Sequence, residues 1–137
     1  MLKSHSLSII PASFLTLVLS TGISAQNSNP PAFAYLLHCS GCHIEDGSGD
    51  PPEVPDLRTD LDVLLQSSKG RDYMLQVPGI TDSPLSAQEM ADLMNWMIEF
   101  LYPDLNDFEP FTANEVIAGR ENRLSNPLSY RSELLPR

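Results

Sequence analysis

The chain has 137 residues, with 18 acidic against 8 basic side chains and a formal net charge of −10. That length suits one small domain, and with Cys39 and Cys42 the only cysteines and no histidine downstream of His43, none is to spare for the further ligands of a zinc site. Such acidity makes nucleic acid and anionic membrane surfaces poor partners and would steer a basic patch on another protein, although ordinary solubility accounts for much of it.

At the N-terminus, Lys3 precedes an apolar run from Leu7 to Leu19, and Thr21-Gly22-Ile23-Ser24-Ala25 supplies small residues. This reads as a secretory signal peptide over residues 1–25, cleaved after Ala25. The run falls short of the roughly 20 residues that span a bilayer and carries Pro11. Ile23, larger than the residue favoured before a cleavage site, leaves an uncleaved anchor as the alternative. The remainder divides into a domain over 26–110 and a C-terminal helical extension over 111–137.

Asn29, Pro30 and Pro31 form a helix start, and Phe33, Tyr35, Leu36 and Leu37 lead into Cys39-Ser40-Gly41-Cys42-His43. C-x-x-C-H is the attachment signal for covalent c-type haem. Two thiols at this spacing reach two vinyl groups of a porphyrin and form thioethers, while His43 is carried beneath the iron as an axial imidazole. A thioredoxin-like redox pair would sit in a βαβ context, which is missing here, and half a zinc site would need further Cys or His. Cys39, Cys42 and His43 are therefore expected to hold one haem c. In bacteria this attachment takes place outside the cytoplasm, so the motif and the export signal agree on the periplasm.

The rest of the chain reads as helix and loop. Glu45 to Pro55 is rich in Gly, Pro and Asp and predicts a loop. Its carboxylates miss the D-x-D-x-D-G spacing of a calcium site, so no metal beyond iron is assigned. Leu61, Val63, Leu64 and Leu65 predict a short helix, and Arg71 to Val77 another, stopped by Pro78-Gly79. The clearest helix runs from Ser86 to about Leu101: Ser86-Ala87-Gln88-Glu89 fits a capping box, and Met90, Leu93, Met94, Met97, Ile98 and Leu101 recur at three- and four-residue steps. Thr112-Ala113-Asn114-Glu115 opens a further helix toward Arg123, and a last turn follows Asn126-Pro127. The fold class is all-α.

From Pro30 to about Leu101 the chain resembles a class I c-type cytochrome. Tyr35 stands four residues before Cys39, where that family carries an aromatic residue. Val54-Pro55-Asp56-Leu57 resembles its proline segment, whose backbone carbonyl accepts a hydrogen bond from the proximal imidazole. Leu93 and Trp96-Met97 match its C-terminal helix. The resemblance implies a small helical domain wrapped around one haem, with Pro55 orienting His43 and Trp96 at the haem edge. One feature departs from the family: the loop before the C-terminal helix, Val77 to Pro84, lacks the methionine that usually completes the iron's coordination. Met74 is the nearest upstream sulfur. Another methionine, or an open iron, are the alternatives, and Met90, Met94 and Met97 lie on the apolar stripe where Met is commonly core filling.

Charge is unevenly placed. Residues 26–110 carry three basic side chains, Arg58, Lys69 and Arg71, whereas the segment from Phe111 carries four arginines and three glutamates. Arg58 and Arg71 are candidates to pair with haem propionates or to be lone surface arginines, and the arginine-rich tail reads as a cover or docking arm. Together these features predict a periplasmic single-electron carrier between a dehydrogenase and a downstream cytochrome or oxidase. A five-coordinate haem sensor or enzyme and a fixed cytochrome subunit of a dehydrogenase complex are the alternatives.

Overall fold

The computed structural model describes residues 30–135; the expected signal peptide over residues 1–25 and the expected helix start at Asn29 lie outside the described residues. Among those described there are eight helices and no strand, so the fold is all-α. Helix α1 (Pro31–His38) starts with Pro31 in its first turn, where the missing N–H has no partner to lose. One turn, α2 (Ser40–His43), follows directly on Cys39.

The long helix α6 (Ala87–Leu101) is the axis of the molecule. Ser86 accepts from the Glu89 amide while the Glu89 carboxylate accepts from the Ser86 amide, which satisfies two otherwise unpaired donors. Its apolar stripe, Met90, Leu93, Met94, Met97 and Ile98, is buried. α1 packs on one side of α6 through Ala34 and Tyr35, and α7 (Ala113–Arg120) packs on another through Val116. The remaining layer is α3 (Leu61–Leu65), α4 (Ser68–Gln76) and the one-turn α5 (Pro78–Thr81), with α8 (Pro127–Leu134) laid on α4.

Two local expectations are amended. Pro78 opens α5 instead of merely ending the preceding helix, because at a first helical position its fixed φ is already helical. α4 begins earlier than Arg71 because Ser67 caps it, accepting from the Gly70 amide.

The segment from Phe111 belongs to the same core as the rest. Phe111 is 3% exposed and Val116 is fully buried. Asn95 on α6 pairs with the Phe111 backbone through two hydrogen bonds, of 2.7 and 3.0 Å. Gly119 brings α7 so near α4 that a methyl group there would lie 2.5 Å from Leu75 Cβ. Three of the tail's arginines bond to the rest of the chain. Arg120 donates to the carbonyls of Ile80 and Leu85, Arg123 pairs with Asp82, and Arg131 pairs with Asp60.

Candidate functional site

The C-x-x-C-H run turns out of α1 into α2, with the amides of Cys42 and His43 both bonded to the Cys39 carbonyl. This tight turn presents two unpaired thiols, Cys39 half-buried and Cys42 exposed, beside the half-buried His43. Burial first, and then the neighbouring Cys42, push the Cys39 thiol up to about 11. A redox dithiol works through a lowered thiol pKa, so this environment is the wrong one for it.

His43 is oriented by the loop that follows. Its Nδ1 lies 3.1 Å from the carbonyl oxygen of Pro55. A carbonyl only accepts, so Nδ1 carries the proton and Nε2 keeps its lone pair. Burial lowers the pKa of His43, the Pro55 bond opposes that shift, and the positive charge of Arg131 adds to the lowering. The imidazole is therefore held neutral, the form that binds a metal.

The loop reaches this position through a chain of backbone bonds. Gly49 donates to the His43 carbonyl at 3.2 Å, Asp50 and Val54 exchange bonds of 2.9 and 3.0 Å, and Leu57 donates to Gly47 at 2.8 Å. Gly49 has φ +62°, and a Cβ there would stand 2.6 Å from the Val54 oxygen and 2.7 Å from the Pro55 oxygen. Only glycine both adopts that backbone and leaves the Pro55 carbonyl free for His43. Arg58 closes the loop from outside by bonding Asp56 and Asp46; the Arg58 bond holds the Asp56 carboxyl down at about 2. On the far side the Tyr102 hydroxyl donates to Leu57 and accepts from the Leu61 amide.

One contact at the site has no signal in the sequence beyond an aromatic residue at the right spacing. Ile44, directly after His43, has φ 59° and ψ 167°, a conformation that costs a β-branched residue about 1–3 kcal/mol. The Tyr35 hydroxyl donates to its carbonyl at 2.8 Å. Tyr35 is 3% exposed, and burial, with smaller contributions from Cys39 and Asp46, pushes its phenol up to about 12, so the hydroxyl stays a donor. α1 thereby fixes the chain on both sides of the motif, through Cys39 at its end and Ile44 beyond. A Tyr35→Phe protein is expected to lose about 1 kcal/mol, the worth of one hydrogen bond, while keeping its core contact. A urea midpoint equal to that of the unaltered protein would remove this role.

Trp96 sits where α1 crosses α6. Its ring lies 5.9 Å from Tyr35, tilted by 55°, and stacks on Phe100 at 5.0 Å. Those contacts are helix packing. Met74 is 5% exposed and belongs to the same core cluster as Met90, Met94 and Met97. Its neighbours Tyr73 and Leu75 are buried too, because α4 is covered by α3, α7 and α8 together. Burial alone therefore does not separate Met74 from the other methionines.

Comparison with protein-family models, with curated proteins and with solved structures gave no match. The chemistry of the site thus rests on its own residues.

Of the two arginines considered for propionate pairing, Arg71 is committed elsewhere. It donates to the Glu109 carbonyl and to Glu115 and stacks 4.1 Å over the Phe111 ring, tying α4 to the tail. Clefts of about 330 and 360 Å³ lie beside Arg71 and beside Tyr102, and neither touches the pentapeptide. No group of three or more His, Cys, Asp or Glu side chains among the described residues is arranged to hold a metal ion. A haem asks for no such group, since it takes one imidazole and two thiols from this motif. Among the described residues no helix is long and apolar enough to cross a membrane.

Proposed function

We propose that this protein is a periplasmic single-electron carrier holding one haem c, bonded through Cys39 and Cys42 and ligated by His43. The observation that carries the reading is the His43 Nδ1 to Pro55 bond: it joins the C-x-x-C-H and V-P-D-L segments and leaves Nε2 available next to two unpaired thiols. The resemblance to class I c-type cytochromes supplies the rest, including a dehydrogenase as donor and a cytochrome or oxidase as acceptor.

When bound, the haem supplies an iron that takes up and releases one electron. The chain's own residues do the remaining work. Pro55 keeps the proton on Nδ1 and makes His43 a better σ-donor through Nε2. Gly49 and the Asp50–Val54 pair hold Pro55 in place, and Tyr35 holds the turn after His43. The proposed role makes and breaks no substrate bond.

Met74 is the residue that would complete the iron's coordination, with another methionine or an open iron as the alternatives. The Val77–Pro84 loop has no ligating side chain, and the tail fastens it through Arg120, Arg123 and the Leu124 amide on Gln76. With Met74 as ligand, a Met74→Ala protein loses the near-infrared sulfur-to-iron charge-transfer band, falls in reduction potential and binds carbon monoxide more readily. With Met74 as core filling, the same change costs about 2–5 kcal/mol of stability and leaves the iron spectrum alone. If the unaltered protein lacks that band and takes up carbon monoxide, the iron is open and the sensor or enzyme reading replaces simple electron transfer.

A further inference from the structure

Arg131 differs from the other arginines of the core and tail. Arg58 bonds two carboxylates at an exposed position, Arg71 and Arg120 each bond two partners, and Arg123 forms an exposed pair with Asp82. Arg131 has a side chain only 13% exposed, yet among the described residues it makes one hydrogen bond, to Asp60 at 3.1 Å. A guanidinium carries five N–H donors, and a sheltered one that uses a single donor has capacity left. α8 is laid firmly on the core, so this placement is not incidental: Tyr130 stacks on Tyr73 at 6.1 Å and 17°, and Asn126 caps the helix by accepting from the Ser129 amide.

The location matters as much as the spare capacity. Arg131 lies within electrostatic reach of the His43 imidazole. Its partner Asp60 stands five residues after Pro55, the residue that orients His43, and sits in a left-handed turn at φ 66°. Asp60 is 43% exposed and uses one carboxylate oxygen on Arg131, so it holds the guanidinium from the solvent side.

We infer that Arg131 is a haem-binding residue: with Asp60 holding it from behind, its remaining N–H groups take a propionate carboxylate of the haem attached at Cys39 and Cys42. The porphyrin's two propionates are its only anionic side groups, and a carboxylate drawn toward a protein interior requires a charge-assisted donor, for which a planar guanidinium is the best match. The C-terminal helix then forms a wall of the cofactor site. This inference rests on the proposed haem attachment.

The test uses the haem-loaded protein, its single haem first confirmed by mass, and the variants Arg131→Gln, Arg131→Lys and Asp60→Asn. Removing the positive charge in Arg131→Gln is expected to lower the reduction potential and shift the propionate bending bands in the resonance Raman spectrum. Arg131→Lys keeps the charge but loses the fork, so its potential stays near that of the unaltered protein while the propionate bands move. Asp60→Asn raises the potential by removing a competing negative charge. Unchanged propionate bands in Arg131→Lys overturn the inference, whether or not Arg131→Gln folds, and so does a shift in potential without a shift in those bands. Absence of haem from the unaltered protein would instead defeat the proposed function.

Discussion

A chain carrying both Cys39→Ala and Cys42→Ala is expected to emerge from denaturation at the mass of the bare polypeptide, while the unaltered chain carries the added mass of one haem. The reason is local. α2 turns tightly enough for both thiols to stand beside His43, and each would contribute one thioether. Either single variant should retain one bond and show a shifted absorption band from the unreacted vinyl group. The burial that pushes the Cys39 thiol up to about 11 makes a dithiol redox role the weaker competitor. The measurement is mass spectrometry on protein from a host that matures other c-type cytochromes. A bare mass for the unaltered chain in that host would end the haem reading, and with it the roles assigned to His43 and Pro55.

Ending the chain before Phe111 is expected to abolish cooperative unfolding. Phe111 alone is worth about 3–5 kcal/mol as a buried aromatic, and a domain of this kind has only about 5–15 kcal/mol in total. The truncation also removes Val116, the Glu115 partner of Arg71, and the Arg120 bonds to Ile80 and Leu85. It leaves Leu75 and the α7 side of α6 facing water. A milder probe of the same contact is Gly119→Ala. Helix propensity favours that change by about 1 kcal/mol, but the added methyl would meet Leu75 Cβ at 2.5 Å and its oxygen at 2.8 Å, so a net loss of stability is expected. Urea unfolding followed by circular dichroism reads both. A truncated protein with the midpoint of the full chain would show the tail to be an appendage after all.

What the sequence alone determined were the features whose cause lies within a few residues. The capping boxes at Ser86 and Thr112 are closed by side chains three positions away, so four letters suffice to place the starts of α6 and α7. The stripe from Met90 to Ile98 marks the buried face of α6 by its spacing alone. Cys39, Cys42 and His43 are brought together by a single turn, which is why the candidate chemistry could be read before any fold. Contacts across the fold were another matter. Arg131 and Asp60 are separated by 71 positions and Arg71 and Glu115 by 44, and an arginine's letter does not say which of many carboxylates it will meet. The tail's positive charge read as a cover or docking arm for that reason, and only the tertiary structure shows Arg120, Arg123 and Arg131 bonded to Ile80, Leu85, Asp82 and Asp60 of the same chain. Tyr35 showed as an aromatic at a fixed distance from Cys39, yet the acceptor of its hydroxyl exists only because Ile44 is bent out of the usual backbone regions. Met74 sits on a helix covered from several sides, so burial erased the periodic signal that separates a core methionine from one facing a site. Local hydrogen bonds and periodicity are written in the order of the residues, whereas the pairing of distant charges is chosen by which helices the core brings side by side.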